Sequence, residues 1–286
     1  MSSAARLALA TALVVAVGCR GKATPAPGGR AADGAVAVVA IDADVVAIDA
    51  AAVAIDAGEA AGVRIPDEAR QLIVVEAAGW NTTRATIARW QREPGQPWQA
   101  VSGPDPAILG YAGAAWGRGL HGDGAPAGRS GPVKREGDGR SPAGIFALGP
   151  AYGYAAAPPA GTRARYTQSS DSLRCVDDAA STHYNQIVDE ATVASDWSSA
   201  EELRRSDVQY TWVVDVRHNA AAVRDGGSCI FLHVWSGPKG KTTGCTAMAE
   251  PVMNALLAGL DPAARPVLVL LPAAERAALA SAWGLP

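Results

Sequence analysis

The sequence predicts a mainly β domain with a few helices. Short apolar runs separated by turn-forming Asn, Gly and Pro are typical of antiparallel strands. Two stretches near the C-terminus have the apolar spacing of helices, and a proline stands near the start of each. The predicted strands are 71–76, 85–91, 98–101, 107–111, 210–219, 266–271 and the apolar run that ends at His233, and the predicted helices are 250–260 and 272–283.

Residues 65–286 are expected to form this domain as one unit. Roughly 220 residues lie within the range of a single β-rich domain, and the chain's 49% hydrophobic content is enough for a substantial core. The chain has two Phe but eight Trp, so we expect Trp80, Trp90, Trp98 and Trp116 to serve in core and edge packing. A net charge of −3 and the lack of a basic run argue against a nucleic-acid partner.

The N-terminal residues 1–19 are typical of an export signal. Arg6 supplies positive charge, and residues 7–17 form an apolar core too short for a stable membrane span. The segment from Ala16 to Cys19 resembles a bacterial lipobox, with Ala16 where Leu is more usual. We therefore expect lipidation at Cys19 and a place in the bacterial cell envelope, anchored to a membrane and facing the periplasm. An ordinary signal peptide with an incidental cysteine is the alternative.

Residues 20–64 differ in composition from the rest of the chain and are interpreted as a tether. They are rich in Ala, Gly, Pro, Val and Asp, and the motif VAIDA recurs at Val39, Val46 and Val53. A seven-residue offset raises the alternative of a short coiled coil, but three units rich in β-branched residues favour a spacer. The tether would carry the folded domain away from the membrane.

The stretch 229–248 carries the chemistry. His233 ends an apolar run, Cys245 follows Gly244, and a connection containing glycine and proline lets the chain fold back between them. A thiol with a pKa of ~8.5 is mostly protonated at neutral pH, so a nucleophilic cysteine needs a histidine, a helix N-terminus or both. We predict Cys245 as nucleophile at the approach to a helix, His233 as its base, and the N–H groups of Thr243, Gly244 and Cys245 as oxyanion donors.

A glycine-rich, charged loop at 116–146 is the second functional candidate. Lys134 and Arg135 are placed to bind a substrate carboxylate, whereas a solvated charge run is the plainer reading. The end of the loop, KREGDGRSPAGIF at 134–146, is similar to a segment of the L,D-transpeptidase catalytic-domain family. The similarity extends over most of residues 72–272, through segments at 175–189, 196–198, 210–219, 227–235 and 242–248.

The resemblance implies a β-sandwich or barrel catalytic domain of a cysteine acyltransferase that acts on peptidoglycan stem peptides without a cofactor. Cys245 would form the thioester, His233 would move protons, and a carbonyl near Val234 would orient the imidazole. The chain departs from many relatives at Thr243, where they carry His, and near Ala247, where they carry Arg. The substrate contacts implied are Lys134, Arg135, Thr242, Asn185 and Trp235.

The four cysteines divide by role. With Cys19 assigned to lipid and Cys245 to chemistry, Cys175 and Cys229 remain, and an unexplained pair in an exported protein favours a disulfide. A zinc site made by Cys175, Cys229, His233 and Cys245 is the alternative, although the spacings are not those of a zinc knuckle.

The remaining histidines, His121, His183 and His218, are predicted as surface or turn residues, with His183 closest to the substrate. Two alternatives to transfer stay open for the whole protein. One is a hydrolase on the same scaffold that trims or detaches wall-linked peptides, and the other is a non-catalytic lipoprotein that binds peptidoglycan.

Overall fold

The computed structural model describes residues 62–286. The predictions of a signal peptide, of lipidation at Cys19 and of most of the tether therefore lie outside the described residues. Ile65 is buried and its N–H donates to the carbonyl of Trp283 at 3.0 Å, which ties the start of the domain to its end. Neither helix within residues 62–286 is long and apolar enough to cross a membrane.

The described chain is mainly β, as predicted, with two α-helices. The strands are β1 (Gln71–Ala77), β2 (Arg84–Gln91), β3 (Gln99–Ile108), β4 (Ala114–Trp116), β5 (Arg118–Gly119), β6 (Gly122–Asp123), β7 (Ser141–Gly153), β8 (Tyr166–Gln168), β9 (Leu173–Val176), β10 (Ile187–Asp189), β11 (Ala200–Glu202), β12 (Trp212–Val216), β13 (Phe231–Val234), β14 (Thr246–Met248) and β15 (Val267–Pro272). The helices are α1 (Glu250–Gly259) and α2 (Ala273–Trp283).

Eight of these strands close into a barrel in the order β12-β13-β14-β3-β2-β1-β15-β7, and β7 pairs with β12 to complete it. Most neighbours are antiparallel, but β1 pairs with β15 and β13 pairs with β14 in parallel. A strand in a parallel pair with both faces covered is apolar throughout rather than alternating. The strand β15 shows this pattern, since all of its residues are buried.

The hydrophobic core fills the barrel and extends under α1 and α2. Trp116 is fully buried, and Trp80, Trp90 and Trp98 pack against the core, as predicted. The strand β3 differs from the prediction of separate strands at 98–101 and 107–111. Gly103 has φ +90°, and a Cβ there would lie 2.6 Å from the Ile87 carbonyl oxygen. The glycine thus forms an irregularity within one strand, at which the register with β2 shifts, instead of ending it.

A small sheet in the order β10-β9-β11 lies outside the barrel; we call residues 173–202, which contain it, the cap. Cys175 of the cap forms a disulfide with Cys229, just before β13, with the two Cα atoms 5.9 Å apart. The predicted disulfide is confirmed, and it removes two of the four ligands from the alternative zinc site. Cys175 also pairs with Glu201 on β11, so the cross-link fixes that carboxylate relative to β13.

Removing the disulfide with the double substitution Cys175→Ser and Cys229→Ser is expected to lower the free energy of unfolding by about 4 kcal/mol. The cross-link spans 54 residues of sequence, so its loss enlarges the unfolded ensemble. Guanidinium titration of residues 62–286 measures the change. The control is Cys245→Ala, which keeps the cross-link and should cost only about 1 kcal/mol. Equal losses in the two proteins would contradict the prediction.

Candidate active site

The register of three barrel strands places His233 and Cys245 on one face of the sheet. Val213 pairs with His233, His233 pairs with Ala247, and Leu232 pairs with Thr246. Since residues opposite each other on neighbouring strands share a face and faces alternate along a strand, Cys245 lies beside Phe231 on the face that carries His233. The other face of these strands carries Val214, Leu232, Val234 and Met248 into the barrel core.

The imidazole of His233 is buried and its orientation is fixed. Its Nδ1 lies 2.7 Å from the carbonyl oxygen of Val234, so Nδ1 carries the proton and Nε2 is the free base in the neutral ring. Burial lowers the pKa of His233 to about 4, against the opposing effect of the Val234 and Gln209 carbonyls. The contact with Val234 is the one that the family resemblance implies.

The thiol of Cys245 is enclosed and protonated. The residue is 4% exposed, and its Sγ receives the N–H of Phe231 at 3.3 Å and lies 3.5 Å from the carbonyl oxygen of Cys229. Burial raises the pKa of Cys245, and the negative charge of Glu201 raises it further, while the N–H of Phe231 and the nearby hydroxyl of Tyr210 oppose the shift. With the thiol pKa raised and the imidazole pKa lowered, the resting pair is neutral rather than a thiolate beside an imidazolium.

Tyr210 and Glu201 belong to the site although sequence reasoning did not select them. The Tyr210 ring meets His233 edge to face with centroids 5.1 Å apart, and its hydroxyl donates to Glu201 Oε1. Glu201 is held above this face by its pairing with Cys175, and burial raises its pKa. A tyrosine at the start of a predicted strand and a glutamate in a charged stretch carry no local signal; only the tertiary fold brings them to the thiol.

Two hydroxyl groups hold the backbone of Cys245. Ser141 Oγ and Thr242 Oγ1 donate to the carbonyl oxygen of Cys245 at 3.0 Å and 2.6 Å. Ser141 Oγ also accepts the N–H of Gly110 at 2.9 Å, which links the nucleophile to the end of β3. Thr242, predicted as a substrate contact, therefore positions the peptide of Cys245.

The predicted oxyanion donors differ in their availability. The Gly244 N–H points to Thr242 Oγ1 at 3.3 Å, whereas within residues 62–286 no acceptor reaches the N–H groups of Thr243 and Cys245. A Cβ at Gly244 would lie 3.2 Å from the Arg140 carbonyl oxygen, so glycine lets this turn pack closely on the charged loop. Thr243 and Cys245 thus offer the free donors of the turn.

The helix predicted at 250–260 is present as α1, but a strand separates it from Cys245. The strand β14 follows the cysteine, and α1 begins only at Glu250 with proline in its first turn. A helix dipole acts over the first turn alone, so it does not activate this thiol. Thr246–Met248 lie between β13 and β3 in the barrel, so Cys245 precedes a strand instead of a helix.

Lys134, in the charged loop at 116–146, is held inside the protein. Lys134 is 6% exposed, and its Nζ donates to Asp138 Oδ1 at 2.5 Å and to the carbonyl of Arg135 at 2.7 Å. Its ammonium is thus satisfied inside the protein, in contrast to the predicted contact with a substrate carboxylate. Arg135 is exposed. Glu136 accepts the hydroxyls of Tyr184 and Ser228, which joins this loop to the cap.

Asn185 and Trp235, both predicted as substrate contacts, lie in different surroundings. Asn185 Nδ2 donates to the carbonyls of His218 and Asn219, and its Oδ1 accepts the N–H of Cys229 at 2.9 Å. Its carboxamide therefore holds backbone next to the disulfide instead of presenting itself to a peptide. Trp235 is half-buried just after β13, where its backbone N–H donates to the carbonyl oxygen of Met248.

Two histidines predicted at the surface are buried, which corrects that expectation. His121 and His218 are 4% and 2% exposed. Glycines create the room for both rings, since a Cβ at Gly144 would lie 1.9 Å from His121 Cε1 and one at Gly117 would lie 2.9 Å from His218 Nδ1. His183 is half-buried and packs edge to face on Trp197, with ring centroids 5.6 Å apart.

Comparisons of the chain with protein-family models, with characterised proteins and with solved structures gave no match. Within residues 62–286, no group of three or more His, Cys, Asp and Glu side chains is arranged to hold a metal ion. A functional assignment therefore depends on the geometry of the site and on the sequence motifs.

The thiol of Cys245 is expected to react with iodoacetamide at least about tenfold more slowly than a free cysteine at pH 7. Its reaction rate should still rise with pH above about 8.5, the usual cysteine pKa. The reason is its 4% exposure and its raised pKa. Mass spectrometry of residues 62–286 across pH 6–10 follows the rate. In guanidinium, one thiol should react at the free rate. A fast reaction in the folded protein, or three reactive thiols, would contradict this picture.

Proposed function

We propose that this protein is a cysteine acyltransferase of the L,D-transpeptidase type, with the catalytic barrel of that family, acting on peptidoglycan stem peptides. The observation that carries the proposal is the placement of Cys245 and His233 on one sheet face, with His233 Nδ1 bonded to Val234 so that Nε2 is the free base. The sequence motifs around both residues support it. A lipid at Cys19 would anchor the protein to a membrane of the cell envelope, facing the periplasm.

Acylation starts from the neutral pair. The Sγ–H proton passes to His233 Nε2 as Sγ attacks the carbonyl carbon between a diamino acid and the terminal D-amino acid of the stem. The carbonyl oxygen becomes an oxyanion that the N–H groups of Thr243 and Cys245 can receive. The carbon–nitrogen bond then breaks, the leaving amine takes the proton from His233, and a thioester on Cys245 remains.

Transfer reverses these steps with a new nucleophile. The amine of an acceptor attacks the thioester carbon and gives a proton to His233, and the carbon–sulfur bond breaks. The sulfur recovers the proton as thiol, so the cycle consumes nothing except the two substrates. A neutral imidazole is needed at the first step, and its lowered pKa keeps it neutral over a wide pH range.

Access to the thiol involves the cap and two residues that follow it, Leu203 and Tyr210. Cys175, Leu203 and Tyr210 pack with Cys245 in one buried cluster. A stem peptide that reaches Sγ must therefore displace part of this cluster. The disulfide stays attached to the end of β13 during such a displacement, so the cap can shift but cannot leave the site.

Incubating residues 62–286 with tetrapeptide stems is expected to give cross-linked stems or exchanged terminal residues, as read by mass spectrometry. Cys245→Ala should abolish turnover, and His233→Gln should lower kcat by about 10²–10⁴-fold, the usual contribution of a general base. The control is Lys239→Ala, an exposed change in the connecting loop. Hydrolysed stems alone would indicate a hydrolase, no product would favour a binding protein, and turnover by Cys245→Ala would refute the mechanism.

The acid limb of kcat/KM is expected near pH 4 rather than near 6.5, the usual histidine value. Burial lowers the pKa of His233 to about 4, and the ring fails as a base only when pH falls below that value. The same burial makes stability decline as pH drops from about 6.5 toward 4. In that range His233 binds a proton in the unfolded chain but not in the folded protein. Rates must therefore be paired with fluorescence melting at each pH. A limb centred at 6.5 in folded protein would contradict the prediction.

A further inference from the structure

Tyr111 presents the most exposed aromatic ring among residues 62–286. It is 51% exposed, whereas every other Tyr, Trp and Phe in this part of the chain is buried or half-buried. The fold leaves this one ring in solvent, although burial of aromatic rings is strongly stabilising. Tyrosine is also among the residue types that most often carry the energy of a binding surface. The ring is therefore a candidate contact for a ligand.

One face of the Tyr111 ring is packed and the other is open. A Cβ at Gly139 would lie 2.1 Å from Tyr111 Cζ, 2.3 Å from Cε1 and 2.6 Å from Cε2, so the ring lies flat over this glycine. Gly139 has φ +66°, in the left-handed region that glycine adopts without strain. Because Gly139 covers one face, the exposed surface of the ring is its edge and its opposite face.

The ring is attached to the turn that carries Cys245. The N–H of Tyr111 donates to the carbonyl oxygen of Thr242 at 2.9 Å, and Thr242 Oγ1 donates to the carbonyl oxygen of Cys245 at 2.6 Å. Gly110 and Gly139 pack backbone against backbone, because a Cβ at Gly110 would lie 2.3 Å from the Gly139 carbonyl oxygen. Cys245 follows Thr242 by three residues, a span of at most about 11 Å. The ring thus lies beside the thiol site, on a tightly packed backbone.

Hydrogen-bonding side chains lie around the ring. Asn81 is exposed and lies against the turn that Tyr111 begins, since a Cβ at Gly113 would lie 2.8 Å from Asn81 Cα. Asn81 Oδ1 accepts from Arg140 Nη2 at 3.0 Å, and within residues 62–286 no acceptor reaches Asn81 Nδ2. Lys241, one residue before the threonine that binds Tyr111, is also exposed. An open aromatic face is therefore accompanied by an amide and an ammonium donor.

We propose that the Tyr111 ring stacks on a pyranose ring of the glycan strand to which the stem peptides are attached. The inference rests on the proposed function, which supplies a substrate that carries sugar. A pyranose presents axial C–H bonds on its faces, and these pack on an aromatic face. Its hydroxyl and N-acetyl groups lie at the rim, where their oxygens can accept from Asn81 and Lys241.

The length of a stem fits this placement. The scissile carbonyl belongs to the third residue of the stem, about 11 Å from the sugar in an extended chain. The span from Thr242, which binds Tyr111, to Cys245 is of the same order. A nucleobase would also stack on tyrosine, but the net charge of −3 disfavours a nucleic acid.

The test titrates the full chain with chitotetraose, a neutral N-acetylglucosamine tetramer without a stem peptide, and follows binding by NMR. Saturable binding is expected, and Tyr111→Ala should weaken it about tenfold or more, as the loss of a stacking ring does for other ligands. Tyr111→Phe keeps the aromatic face and should retain the affinity. Asn81→Ala should weaken binding by a smaller factor. The control is Val208→Ala, which truncates a 60% exposed apolar side chain outside this surface and should leave the affinity unchanged.

Further outcomes keep the proposal separate from stability and from catalysis. A melting curve of each variant establishes that it is folded at the temperature of the titration. No binding by the parent chain, or equal binding by Tyr111→Ala, would overturn the stacking assignment, as would a loss in Tyr111→Phe as large as in Tyr111→Ala. Turnover of tetrapeptide stems by a chain that does not bind chitotetraose would leave the proposed function standing without the sugar contact. Binding of chitotetraose without any turnover would count against the proposed function and leave the sugar contact standing.

Discussion

The parallel pairing of β13 with β14 is the constraint on which the site depends. It sets His233 opposite Ala247. Cys245 lies two residues before Ala247 and therefore on the same face of the sheet. A slip of one residue would turn the thiol into the barrel core. The barrel prevents such a slip, because β14 is also paired with β3 and β13 with β12. Ser141 and Thr242 then fix the carbonyl of Cys245 from below.

Much of this arrangement follows from local sequence, and the rest does not. The apolar patterns predicted β1, β2, β15 and both helices, the division of the four cysteines predicted the disulfide partners, and the family resemblance implied the Val234 contact. Glu201 was not, because its approach to Cys245 requires pairing across the cap. The strand β14 between Cys245 and α1 was not predicted either, because it depends on pairing with β13 and β3 in the barrel.

The charges of the loop at 134–140 led to the prediction that Lys134 contacts a substrate carboxylate. Lysine is rarely buried, so a sequence reading assigns Lys134 to solvent or substrate. Asp138 changes that outcome, because it accepts from Lys134 Nζ and from the N–H groups of Arg135 and Arg140. The loop therefore closes on itself and becomes a rigid base beneath Gly244. Gly144 and Gly117 look like turn residues in the sequence. In the structure they make space for the buried imidazoles of His121 and His218.

The cap affects both the exposure of the Cys245 thiol and its pKa. Burial and the charge of Glu201 both raise the pKa of Cys245. Glu201 and Cys175 are paired in the same small sheet, so a displacement of that sheet that exposes Sγ would also move Glu201 away. Each change lowers the thiol pKa. A displaced cap would therefore leave a more readily ionised thiol than the closed protein contains, while His233 would keep its orientation through Val234.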